Sequence, residues 1–138
     1  VPDLTSDELV FLESILDLAR RGDVATLAGC IDAGVPVNLT NGRGDSLLLL
    51  AAYHQHPLLV RALLERGADT ERVNDNGQTA LAAAVFRQCR PVVQALLEAG
   101  ADPTAGRQSA VEVARFFRLG EMAELLGTAA TSDDLQHP

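Results

Sequence analysis

With 138 residues, 47% of them hydrophobic and 22% charged, the chain is long enough for one folded unit that needs neither metal nor disulfide to hold it together. Its formal net charge of −8 argues against a general binder of nucleic acid or anionic membrane, because such binders need clustered positive charge to displace counterions. Aromatic residues make up only 4% and Trp is absent, so the core has to be built from Leu, Val and Ala, a composition suited to closely packed helices rather than a β-sandwich.

Thr5 and Glu8 form the hydroxyl and carboxylate of a capping box, and apolar residues follow at Leu9, Leu12, Ile15, Leu16 and Ala19, which predicts a long first helix ending near Arg21. Gly22-Asp23 breaks it. A second helix is predicted from Val24 to Ala33, with Leu27, Cys30 and Ile31 on its buried side and Gly34 as its left-handed stop. Val35 to Asp45 has no helical period, and Pro36, Asn41-Gly42 and Gly44 mark it as an extended loop with a tight tip. Ser46 is a good N-cap for a helix running through Leu47 to His54. Gln55-His56 then turns the chain, and Pro57 stands in the first turn of a helix that buries Leu59, Val60, Leu63 and Leu64 and stops at Gly67.

The next stretch repeats this order, with Asn76-Gly77 as turn tip, Thr79 as N-cap, helices over Leu81 to Arg87 and Pro91 to Ala99, and Gly100 as stop. The last pair of helices is predicted at Ser109 to Arg118 and Glu121 to Leu126, after a loop three residues shorter whose tip is expected to be missing. Thr128 to Pro138 is polar and aperiodic and reads as a flexible tail over 128–138.

One stretch recurs, as Leu63-Leu64-Glu65-Arg66-Gly67-Ala68-Asp69 and as Leu96-Leu97-Glu98-Ala99-Gly100-Ala101-Asp102, each preceded by an Ala-rich helix. Gly34, Gly67 and Gly100 are spaced by 33 residues, a period that marks a stacked-repeat architecture in which neighbouring units complete one another's apolar faces. With Asn76-Gly77-Gln78-Thr79-Ala80-Leu81, these motifs resemble ankyrin repeats over about Leu18 to Leu126. The resemblance implies an all-α, helical-hairpin solenoid of about four repeats with atypical terminal caps. It implies one domain over 1–127, with units at about 6–37, 38–70, 71–103 and 104–127. The family's Thr-Pro-Leu-His becomes Ser46-Leu47-Leu48-Leu49 and Thr79-Ala80-Leu81-Ala82, which keeps the capping hydroxyl and loses the imidazole. Stacking between units is therefore expected to be more purely apolar and less directional.

The resemblance also implies a non-enzymatic protein that binds another protein on its concave side, through the loop tips and two positions at the end of each first helix. Those paired positions are Arg20 and Arg21, Tyr53 and His54, Phe86 and Arg87, and Phe116 and Phe117. Four of the five aromatic residues fall there, and rigid rings with Arg beside them suit a partner surface. The competing role for Tyr53 and Phe86 is packing between adjacent helices, and Phe116 and Phe117 are expected first of all to cover the end of the stack. On the loops, Arg43, Asp45, Asp75, Asn76 and Gln78 are candidate contacts, although Asp75 and Asn76 also suit a turn and Asp45 could help cap its helix. Arg43-Gly44-Asp45 spells an adhesion tripeptide, for which chance is the better explanation because the repeat itself requires Gly44.

No nucleophile-elbow, zinc-protease or phosphate-loop motif occurs, and the absence of Lys removes Schiff-base chemistry and fits a GC-rich, bacterial genome. No cofactor is expected. Cys30 and Cys89 suggest no disulfide framework, and a reducing, cytoplasmic setting follows by default, with a monomer when free. The chain begins with Val rather than Met, which leaves open a start further upstream and with it a periplasmic or secreted location. The alternative reading is an accessory or regulatory subunit that senses redox state or metal through Cys89 and the His54/His56 pair.

Overall fold

A computed structural model describes residues 5–129 of the chain. Its helices are α1 Ser6–Arg21, α2 Val24–Asp32, α3 Leu47–Tyr53, α4 Pro57–Glu65, α5 Ala80–Phe86, α6 Arg90–Glu98, α7 Ala110–Phe116 and α8 Gly120–Ala129. Successive helices pair into hairpins, and the hairpins stack so that α1, α3, α5 and α7 form one layer and α2, α4, α6 and α8 the other. Among the described residues there is no strand, only an isolated bridge between Thr40 and Ser46. No described helix is long and apolar enough to cross a membrane.

Local chemistry sets the ends of these helices. Thr5 accepts from the Glu8 amide and Glu8 Oε1 accepts from the Thr5 amide, completing the capping box. Asp23, Ser46, Thr79 and Ser109 each accept from a backbone amide in the first turn of the helix that follows. α8 continues to Ala129, into the stretch predicted as a tail, and the rest of that stretch, 130–138, lies outside the described residues.

The inner helices explain why this composition folds. Leu47, Leu48, Leu49, Leu50, Ala51 and Ala52 of α3 are all buried, as are Ala80 to Val85 of α5. Each helix is covered on three sides, by the inner helix before it, the inner helix after it and its own outer partner. The alanines let backbones approach closely while the leucines fill the gaps, giving one continuous core from Ile15 to Leu126.

Stacking is more directional than the loss of the family imidazole suggests. Arg66 forms a bidentate pair with Asp32, Arg61 meets Glu98 at 3.3 Å, and Arg90 meets Glu121 at 2.8 Å, each joining consecutive outer helices. In the loops the Asp69 amide donates to Asn38 Oδ1 and the Asp102 amide to the Glu71 carboxylate. These contacts are exposed, so each contributes at most about 1 kcal/mol, but they fix the register between units. The polar links have moved from the inner helix to the outer helices and loops.

A further link lies at the turn inside each hairpin. His56 Nε2 meets the Arg20 carbonyl oxygen at 2.7 Å, joining the second unit to the first. The ring fits because Gly22 stands beside it: a Cβ there would lie 2.5 Å from His56 Cγ and Nδ1. One period later the residues are Gln55, which carries a Cβ at φ 63°, and Cys89. The small thiol therefore replaces imidazole where glycine has been lost. Cys89→His alone is expected to overpack this turn at a cost of about 1–3 kcal/mol, and Gln55→Gly in the same chain should remove the cost and allow a bond to the Tyr53 carbonyl. Urea denaturation of both single variants and the double variant tests this. Additive effects would show that residues 55 and 89 do not meet in this way.

Candidate partner-binding site

The site is built where the inner helices end. α3, α5 and α7 are each seven residues long and each ends on an aromatic residue, because the left-handed Gln55, Gln88 and Arg118 turn the chain back within two residues. Tyr53, Phe86 and Phe116 therefore occupy matching positions in successive units, with His54, Arg87 and Phe117 next to them. Tyr53 stacks on Phe86 with ring centroids 6.4 Å apart and planes within 8°, Phe86 meets the edge of Phe117 at 5.4 Å, and Phe117 meets Phe116 at 4.9 Å. These rings form a continuous file and still face solvent, at 38% exposure for Tyr53, 45% for Phe86, 49% for Phe117 and 79% for Phe116. Packing between helices and outward exposure thus coexist for Tyr53 and Phe86. Phe116 is too exposed to serve as cover for the end of the stack.

The loops form the opposite wall. Asn41 and Asn74, one period apart, fold their loops in the same way: each Oδ1 accepts two amides, those of Arg43 and Asp45 in one loop and of Asn76 and Gln78 in the other. Asn74 Nδ2 also donates to Asp45 Oδ1 at 2.9 Å and to Gln78 Oε1 at 3.0 Å, which ties the two loops together. Its carboxamide is thus fully used in a side chain only 9% exposed. The Asp75 amide donates to the Arg43 carbonyl, and Arg107 Nη2 donates to the Asp75 carbonyl, so the third loop is held between its neighbours. Asp45 does not cap its helix, since Ser46 does; its carboxylate is held by Asn41 and Asn74. With that carboxylate occupied, Arg43-Gly44-Asp45 does not present the two free charges of an adhesion motif.

Between these walls lies a groove of about 730 Å³, lined by Tyr53, Phe86, Arg43, Asp45, Asp75, Asn76 and Gln78 over a floor of Leu49, Leu50 and Ala83. Seven sequence-derived candidates are thereby brought together. Phe116 and Phe117 line a second hollow of about 330 Å³ with Arg107, Gln108 and Val113. Arg20 and Arg21 lie outside both linings, paired with Glu13 at 3.6 Å and Asp17 at 3.0 Å. The sequence analysis missed Asn74, the inner-helix floor and Arg107. For Asn74 a signal existed in its spacing of 33 residues from Asn41. For Arg107 none did, because the shortened loop breaks the period.

Electrostatics differ between the walls. Arg87 lies over the Tyr53 ring, its guanidinium carbon 4.9 Å from the centroid. Burial, followed by the fields of His56, Arg87 and Arg20, holds the His54 imidazole below its ordinary range. No group of three or more His, Cys, Asp or Glu side chains among the described residues could hold a metal. Nothing in this geometry supports redox or metal sensing through Cys89, His54 and His56: the His56 Nε2 is already engaged, and both cysteines are unpaired thiols.

The sequence pattern of ankyrin repeats, in three copies, matches residues 16–107. The chain belongs to the ankyrin repeat family. It is 43% identical over 60 residues to an ankyrin repeat protein of Pseudomonas aeruginosa, an alignment that covers 44% of this chain and 35% of that protein. The fold superposes on the human ASB11 ankyrin repeat domain with a TM-score of 0.74 and 30% identity, over 83% of this chain and 52% of that one. The chain thus spans about a third of the curated relative and about half of the solved structure it matches. Ankyrin repeats are in general protein–protein interaction modules without enzymatic activity. The family match stops at Arg107, ahead of the inner helix of the short-looped last unit.

Proposed function

We propose that this ankyrin chain is a non-enzymatic recognition module that binds a partner protein in the groove between its loops and the ends of its inner helices. The observation that carries this reading is the aromatic file: Tyr53, Phe86, Phe117 and Phe116 touch in sequence and yet remain between 38% and 79% exposed. A soluble protein gains little from leaving contiguous rings in water, whereas a partner that covers them gains contact area at low entropic cost. The loop wall is tied down by Asn41 and Asn74, so association orders little new backbone. The paired Arg20 and Arg21 stand at the edge of this surface, and the free chain is monomeric in this reading.

The test is a pull-down from lysate of the source organism with wild type and a Tyr53→Ser, Phe86→Ser double variant whose helical circular dichroism is unchanged. A protein retained by wild type and lost, at about tenfold or greater weakening, by the variant is the expected result. Equal retention by both would place the binding surface elsewhere.

A further inference from the structure

Six of the eleven arginines are paired with carboxylates: Arg20, Arg21, Arg61, Arg66, Arg90 and Arg115. Arg87 is not among them, although the chain carries 19 acidic residues. Its guanidinium is instead spread over the Tyr53 ring. Stacking holds the guanidinium in place while leaving its N–H edges free, which is the geometry that accepts a carboxylate from outside with little loss of side-chain freedom. The groups acting on His54 at this end of the groove are His56, Arg87 and Arg20, with no carboxylate among them. Arg43 on the main groove and Arg107 on the second hollow likewise lack an ion pair. Against them stand Asp45, whose oxygens are occupied by two carboxamides, and Asp75 on the loop wall; Glu112 on the second hollow meets Arg115 at 3.6 Å. A protein of net charge −8 thus gathers unneutralised cations beside its exposed rings.

Resting on the groove reading above, we infer that the partner presents an acidic segment, placing an apolar side chain on the Tyr53–Phe86 stack and an adjacent carboxylate on Arg87 and His54. Charge complementarity selects this occupant. A basic segment would face Arg87, His54 and Arg20, and a second copy of this chain would bring its own cations to the same place. The overall negative charge slows approach, so recognition depends on this local field once contact is made.

The probe is a pool of short random-sequence peptides, retained on the full chain and sequenced, with folded Arg87→Glu and Phe86→Ser variants alongside. Wild type should retain peptides enriched in Asp and Glu next to apolar residues, held less tightly as salt rises. Arg87→Glu should weaken those peptides about tenfold. Retained peptides that are neutral or enriched in Lys and Arg, and still lost on Phe86→Ser, would overturn the acidic partner while leaving the groove reading intact. Peptides held equally by wild type and Phe86→Ser, or no specific retention at all, would overturn both. Displacement of the peptides by a single-stranded DNA oligonucleotide at about 0.15 M salt would reassign the cations to a nucleic acid and also overturn the proposal.

Discussion

Leu81→Ala is expected to lower the stability of the whole stack by about 3–4 kcal/mol, a large part of the total a domain of this size commands. Leu81 is buried in α5, which packs against α3 on one side, α7 on the other and α6 behind it. Truncation leaves a cavity among elements of three units, and none can collapse into it without losing its register with the others. Because each repeat contacts only its neighbours, damage in an inner unit also uncouples the units on either side. Urea denaturation followed by circular dichroism should show an earlier midpoint and a broadened transition as the two ends separate. A loss below about 1 kcal/mol with an unchanged slope would mean that α5 is not the centre of the core.

Asn74→Ala should cost about 2–3 kcal/mol and should abolish partner binding, although Asn74 touches no proposed anchor ring. The substitution strands the amides of Asn76 and Gln78, one oxygen of Asp45 and the Gln78 carboxamide, all of which this one side chain satisfies. Asn74→Asp is the informative companion. It keeps an acceptor for the two amides but places a second carboxylate against Asp45, so the loops should part even though the loop turn itself can form. Amide exchange across 73–78 and 41–45 reads the separation directly. If exchange in 41–45 is unchanged in both variants, the two loops are not coupled through this residue.

The fold was readable because its signals are local and periodic. Helix caps at Thr5, Ser46, Thr79 and Ser109, glycines spaced by 33 residues and Leu/Ala-rich runs each act within a few residues, and the unit repeats them. The positions of Tyr53, Phe86 and Phe116 at helix ends follow from the same period. The roles of the loop residues were less readable. Asp45 looked like a cap or a partner contact, whereas its carboxylate joins two loops through Asn74, a pairing 29 residues apart in sequence. The shift of polar links to Arg66–Asp32, Arg61–Glu98 and Arg90–Glu121 was equally hidden, since surface Arg and Glu residues carry no period that distinguishes pairs from bystanders.

What the sequence determined by itself is the repeating unit, because capping, helix termination and apolar periodicity depend on neighbours within one turn or one loop. What only the tertiary structure decided is which side chains are left over. Six arginines find carboxylates on an adjacent turn or unit, Arg87 settles on an aromatic ring instead, and the rings of three units touch without being covered. Those outcomes depend on distances between units, set by the stacking of small inner-helix residues such as Ala51, Ala52, Ala83 and Ala84 rather than by the residues of the site.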